Sequence, residues 1–331
     1  MKALVFERFG EPSEVLRLKD VPTPEPGPGE VRVRMIASPI NPSDLLVVRG
    51  LYGVLPVLPA TPGFEGVGVV DKVGPGLLGL FAKGKRVTVI NSAGGNWAEY
   101  AVIPARQARP VALDIPDEQV ASFFVNPATV LAIVRHVLKV PKGAWLLQSA
   151  AGSALGRMVI RLCKNDGIRT INVVRRREAM AELKELGGDV VICSTDGPID
   201  EQVRAATGGS GVKYALDPVG GETGTQVFRS LGEDGRMLVY GTLTGEPLQV
   251  DSRLIIAGKQ SIEGFWLGHW MRERSIPASL MLFREIAAQI REGTLSTKPG
   301  GKFPLEAIGE AVKAAEGVGK EGKVLLTMGA E

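Results

Sequence analysis

The chain has 331 residues, 44% of them hydrophobic and 23% charged, and its formal net charge is +3. That length suggests two domains, each able to bury its own core. So small an excess of charge, with Lys and Arg interspersed among Asp and Glu, argues against a nucleic-acid partner, and no run reaches the ~18 unbroken apolar residues that would span a membrane.

The first 120 or so residues read mostly as β structure. "MKALVFE", "VLRLKDV", "EVRVRMIASPI", "EGVGVVDKVG" and "KRVTVI" are short runs rich in Val and Ile, punctuated by Gly and Pro. The proline-rich stretch Pro22 to Glu30 is poorly suited to regular structure and reads as a surface connection. From Asn126 the pattern becomes an alternation. The strand-like "AWLLQSA" leads to "ALGRMVIRLCKND", with Leu155, Met158, Val159 and Leu162 on one helical face. Further strand and helix candidates follow as "RTINVV", "REAMAELKELGG", "DVVICS", "IDEQVRAATGG", "VKYALDPV", "TGTQVFRSLGEDG" and "RMLVYG". Repeated short strand–helix units imply right-handed crossovers and a doubly wound parallel sheet covered on both faces. Beyond "SIEGFWLGHW" comes a helix-like "PASLMLFREIAAQIREG" and a closing β-like "GKVLLTM". The expected domains are therefore 126–267 for the α/β part, and 1–125 completed by 268–331 for the β part.

Two cysteines, Cys163 and Cys193, lie in apolar runs and read as buried thiols, with no metal spacing around them. The opening "MKALVFERFGEPSEV" lacks a signal peptide's apolar stretch and carries acidic residues, so a cytoplasmic location is expected.

The stretch "LLQSAAGSALGRMVI" has the context of a dinucleotide loop: a strand, small residues, then a helix. Small side chains let backbone approach a pyrophosphate, whose charge is favoured at a helix N-terminus. The strict pattern wants glycine where Ala154 stands, leaving Gly152 and Gly156; an ordinary strand–helix turn is the competing reading. In such folds an acid about 20 positions on binds the ribose of NAD, whereas arginine accommodates the 2′-phosphate of NADP. Here Arg175, 19 positions beyond Gly156, is followed by Arg176 and Arg177 and no acid until Glu178. Guanidinium groups can engage a phosphate through paired charge-assisted hydrogen bonds, so NADPH is the expected cofactor. A charge run can also be just a solvated face, and at least one of the three is expected to be so.

Over essentially its full length the chain resembles the zinc-independent medium-chain dehydrogenase/reductase superfamily. The resemblance is nearest to its 2-enoyl thioester reductases, with quinone oxidoreductases next. It rests on "INPSDLLVVRGLYG", "LPATPGFEGVG", "NWAEYAV", "VNPAT", "RTINVVRRRE", "YGTLTGEP" and "GFWLGHW". It implies a Rossmann sheet binding NADP and a mostly β, GroES-like catalytic domain. Zinc-dependent members supply a Cys and a His where this chain has Ser38 and Phe64, and two cysteines cannot build a four-Cys structural site. No metal is expected.

Without a Lewis acid, the implied chemistry is hydride transfer to an activated double bond, with protonation of the resulting enolate. The resemblance assigns that proton to Tyr52; Tyr52 could instead merely line the cleft. It places Asn126, Gly152, Ser153, Ala154 and Leu155 at the cofactor, Arg175, Arg176 and Arg177 around its 2′-phosphate, and Tyr240 and Gly241 beside the nicotinamide. Phe265, Trp266 and Leu267 would close over that ring, and Lys323 would reach the cofactor. Simple core packing is an equal reading of Phe265 and Trp266. The implied substrate is an enoyl-CoA or enoyl-acyl-carrier-protein thioester, with Arg272, Arg274 and Lys298 as candidates for its phosphates. A quinone reductase, or a nucleotide-binding protein without catalysis, are the rivals. A homodimer joined through edge strands is implied by analogy.

Overall fold

The computed structural model describes residues 1–77, 79–317 and 322–329. The chain forms two compact units. One comprises Met1–Val125, Ile286–Arg291 and Ser296–Glu331; the other comprises Asn126–Glu285 and Glu292–Leu295.

The first unit is built on a mixed sheet whose central strand is Glu30–Pro39. Its residues alternate: Val31, Val33, Met35 and Ala37 are buried while Arg34 is exposed, the period-two pattern of a strand covered on one face. The strand pairs antiparallel with Glu65–Val73, with Tyr100–Pro104 and with Lys323–Thr327. Leu326 lies opposite Ser38, so the last strand of the chain is set beside one of the first. Trp97, wholly buried, anchors the core and donates its indole N–H to the Pro39 carbonyl at 3.3 Å. This largely β unit also holds a helix, Pro42–Arg49, in the stretch "NPSDLLVVR". Asn41 and Asp44 form a reciprocal capping box at its start, and Pro42 occupies its first position.

The second unit contains six parallel strands: β1 (Trp145–Gln148), β2 (Arg169–Val174), β3 (Val190–Cys193), β4 (Val212–Asp217), β5 (Leu231–Val239) and β6 (Ser261–Gly264). Their spatial order is 3-2-1-4-5-6. That is the order of a doubly wound dinucleotide fold, in which the winding reverses between β1 and β4 and ligands bind outside the strand ends at that point. The helix Ala154–Asp166 turns Met158, Val159 and Leu162 inward, as its 3.6 period requires. Cys163 and Cys193 are both buried free thiols, and burial pushes the Cys163 thiol above its ordinary value.

Two boundaries differ from those read from periodicity. The helix after β4 stops at Arg229, and β5 begins at Leu231, inside "SLGEDG". The division between the units falls within the helix Ile276–Arg291, not at residue 268. Residues 268–285 are held in the second unit by an aromatic and ionic cluster. Trp270 lies 5.6 Å from the His136 ring and under the Arg274 guanidinium at 3.9 Å, while Glu285 pairs with Arg135 at 2.5 Å. None of these partnerships has a local sequence signature.

Candidate active site

Between β1 and the helix Ala154–Asp166 the chain makes the expected loop. Ser153 caps the helix, its hydroxyl accepting from Gly156 N–H at 3.0 Å. Gly156 is required by space: a Cβ there would stand 2.6 Å from the Ala151 carbonyl oxygen and 2.7 Å from its Cα. The helix can therefore lie close against the strand, the task of the last glycine in a dinucleotide loop. At Gly152 nothing lies within 4 Å of such a Cβ, so the loop is open at that position. Ala154 and Leu155 open the helix, half-buried. Beneath the loop, the buried Gln148 donates to the Gly156 carbonyl at 3.0 Å and to Asn172 of β2 at 2.8 Å, tying the two strands together.

Arg175, Arg176 and Arg177 follow β2 directly, and all three are exposed. They are not equivalent. Arg177 is paired with Asp196 at 2.7 Å, which holds its guanidinium above the ordinary value. Among the described residues, Arg175 and Arg176 have no carboxylate partner. Asp196 follows β3, too far along the chain for spacing to have linked it to Arg177.

At the reversal point, Ser149 after β1 donates its hydroxyl to Asp217 at the end of β4. Burial pushes the Asp217 carboxyl up, while Ser149 and the N–H groups of Gly220 (2.8 Å) and Val219 (3.2 Å) favour its ionised form. Tyr240 and Gly241 follow β5. Among the described residues the buried Tyr240 hydroxyl has no hydrogen-bond partner, and burial pushes its phenol above the ordinary range, with Asp217 adding to the effect. Phe265 follows β6 and hydrogen-bonds the Val239 carbonyl at 2.8 Å, with its ring 6.4 Å from Trp270. Trp266 precedes the short helix Leu267–Arg272, whose first residue is Leu267, and packs on His269 at 4.5 Å. Both histidines therefore lie against aromatic rings. Asn126 stands, half-buried, in the first turn of the helix Val125–Leu131.

In the first unit Tyr52 is half-buried, and its ring lies 5.4 Å from that of Phe64 at 39°. Phe64, where zinc-dependent relatives carry a histidine, is thus an aromatic neighbour of the tyrosine. Ser38, at the cysteine position, is buried and donates its hydroxyl to the Glu65 carbonyl at 2.6 Å. Next to Phe64 is a cluster in which the sequence assigned a role to Lys323 alone. Asp44 accepts from Asn41 N–H at 2.8 Å and from Phe64 N–H at 3.0 Å. Glu65 accepts from the Asn41 amide at 3.1 Å and from the N–H groups of Phe124 (3.1 Å) and Val125 (2.9 Å). Lys323, expected at the cofactor, is buried here and donates to Asn41 Oδ1. Burial pushes Asp44 up to about 7, and Glu65 upward for the same reason. The signal for these residues was a capping pattern in "NPSD" and an acid inside an apolar, Gly-rich strand.

The second unit's residues fit a phosphorylated dinucleotide: an open loop at a helix N-terminus, two unpaired guanidinium groups beyond β2, and a buried unpartnered hydroxyl beyond β5.

Comparison with known proteins agrees. Residues 27–117 match the alcohol dehydrogenase GroES-like domain, and residues 154–283 match the zinc-binding dehydrogenase family. The chain is 34% identical over 322 residues to the mitochondrial enoyl-[acyl-carrier-protein] reductase of Xenopus tropicalis, covering 95% of this chain and 92% of that one. Against the human protein of the same name it is 33% identical, covering 99% and 89%. Among solved structures, Escherichia coli quinone oxidoreductase complexed with NADPH superposes with a TM-score of 0.91 at 25% identity, over 99% of this chain and 100% of that one. The Etr1p/NADP/crotonyl-CoA complex superposes with a TM-score of 0.83 at 27% identity, over 98% and 99%. Full-length likeness to reductases, with Ser38 and Phe64 in place of zinc ligands, makes this chain a zinc-independent member of the medium-chain dehydrogenase/reductase superfamily and an NADPH-dependent oxidoreductase.

Proposed function

We propose that the protein reduces the C2–C3 double bond of 2-enoyl thioesters. NADPH, when bound, supplies the hydride that adds to the β-carbon. The chain's own part is to hold the dinucleotide and to manage the proton. Gly152, Ser153, Ala154 and Leu155 would receive the pyrophosphate, and Arg175 and Arg176 the 2′-phosphate, with Arg177 shared with Asp196. Asn126, Tyr240, Gly241, Phe265, Trp266 and Leu267 would border the nicotinamide half. Lys323 would act from within the Asn41 cluster.

Tyr52 is the observation that carries the thioester reading. It stands in a segment without a charged residue from Gly50 to Phe64, flanked by the exposed apolar side chains Leu51, Val54, Leu55 and Val57. An apolar surrounding suits an acyl chain, and a phenol, protonated at neutral pH, can donate to the developing enolate and deliver the α-proton. The names of the 33–34% identical relatives support the same substrate class. Tyr52→Phe should lower kcat with crotonyl-CoA about 10²-fold; an unchanged rate would leave Tyr52 a wall residue.

The likeness to a quinone oxidoreductase supports a second reading, reduction of quinones. NADPH oxidation measured with crotonyl-CoA and with a benzoquinone separates the two, and ready quinone turnover without thioester turnover would overturn the first. We further propose a homodimer built on the edge of the second unit's sheet, where β6 ends the sheet and the preceding helix Ser252–Gly258 exposes Ile255 and Ile256. The cytoplasmic location is part of this proposal. No helix among the described residues is long and apolar enough to cross a membrane.

A further inference from the structure

The Asn41–Asp44–Glu65–Lys323 cluster does more than cap a helix. Burying a carboxylate costs far more than a helix cap returns, and an exposed cap would have given the same helix. Asp44 divides its two oxygens between separate segments. One accepts from Asn41 N–H at 2.8 Å and holds the first turn of the helix Pro42–Arg49. The other accepts from Phe64 N–H at 3.0 Å. That helix closes on Gly50 in the left-handed conformation (φ 75°), and Tyr52 follows two residues later. Phe64 is the ring partner of Tyr52. A single buried carboxylate therefore fixes the backbone on both sides of the Tyr52–Phe64 ring pair. Around it, Lys323 of the terminal strand favours the charged carboxylate, Glu65 of the neighbouring strand opposes it, and the Asn41 amide links the other two.

We propose that Asp44 is a positioning residue for Tyr52, acting on its chain segment through the helix Pro42–Arg49 and on its ring through Phe64. The catalytic consequence rests on Tyr52 being the proton donor; the geometric one does not. Two measurements on the full-length protein keep them apart. In protein labelled with 3-fluorotyrosine, Tyr52→Phe assigns the Tyr52 line among four tyrosines, and Asp44→Asn should shift or broaden that line. An unmoved line overturns the proposal. For catalysis, Asp44→Asn should lower kcat with crotonyl-CoA about tenfold, leave the dissociation constant of NADPH unchanged, and have no further effect on kcat in the Tyr52→Phe background. Additive losses in that background would mean that Asp44 acts elsewhere, and would also overturn it. If Asp44→Asn does not fold, Phe64→Leu removes the ring contact alone and is expected to move the same fluorine line and to show the same non-additivity. Full activity of Tyr52→Phe would refute the proton-donor reading while leaving the fluorine result to decide the positioning.

Discussion

Of the three consecutive arginines, Arg177 already has a carboxylate 2.7 Å away, so a phosphate would have to compete with Asp196 for it. Arg175 and Arg176 carry no such commitment, and two planar guanidinium groups suffice for a doubly charged ester. Replacing either by Ala should raise KM for NADPH about tenfold, since a hydrogen bond to a charged group is worth that much, while KM for NADH stays constant. Arg177→Ala should have the smallest effect of the three; equal losses with both cofactors would refute a 2′-phosphate role. Asp44 gives a different test. Burial raises its carboxyl from an ordinary 3.8 to about 7, so the unfolded chain loses this proton before the folded one does. Its contribution to stability is then complete below about pH 4 and is lost as pH rises through about 7. The denaturation midpoint of the wild type should carry this loss between those limits, and Asp44→Asn should remove it. The arginines were legible from sequence because their meaning depends on one spacing, from Gly156. The Asp44 cluster was not, because Glu65 and Lys323 reach the local Asn41–Asp44 capping box only through sheet pairing.

Among elements, the turn from β1 into the helix Ala154–Asp166 shows which loop positions tolerate change. Gly156→Ala would press a methyl group into the backbone of Ala151, which cannot yield as a side chain can. The variant should lose about 1–3 kcal/mol of stability in denaturant titration and bind NADPH more weakly. Gly152→Ala, with open space at the same atom, should keep its stability. The short strands of the second unit were readable because each is an apolar run closed by Gly or a polar residue. The start of β5 was not, because "LGEDG" carries turn composition yet pairs with its neighbour through a register shift beside Val212. The helix Pro42–Arg49 was likewise hidden within a β-rich region; its capping residues were present, but its eight residues give too few turns for a clear period.

At the scale of the whole molecule, the proposed dimer has a plain measurement. Sedimentation should give twice the 35.1 kDa chain mass, and Ile256→Asp, a charge on a 77% exposed position, should return the monomer without unfolding it. An unaltered oligomer would move the interface elsewhere. The return of the chain to its first sheet has a consequence of another kind, in the order of synthesis. The second unit, Asn126–Glu285, is almost continuous in sequence and can close on itself as it leaves the ribosome. The strand Glu30–Pro39 emerges early but must wait for Lys323–Thr327, and the contact between Asn41 and Lys323 joins residues 282 positions apart. Such distant closure is slow. The half that carries Tyr52 is made first and finished last, so a newborn chain acquires its cofactor unit before the surroundings of Tyr52 are complete.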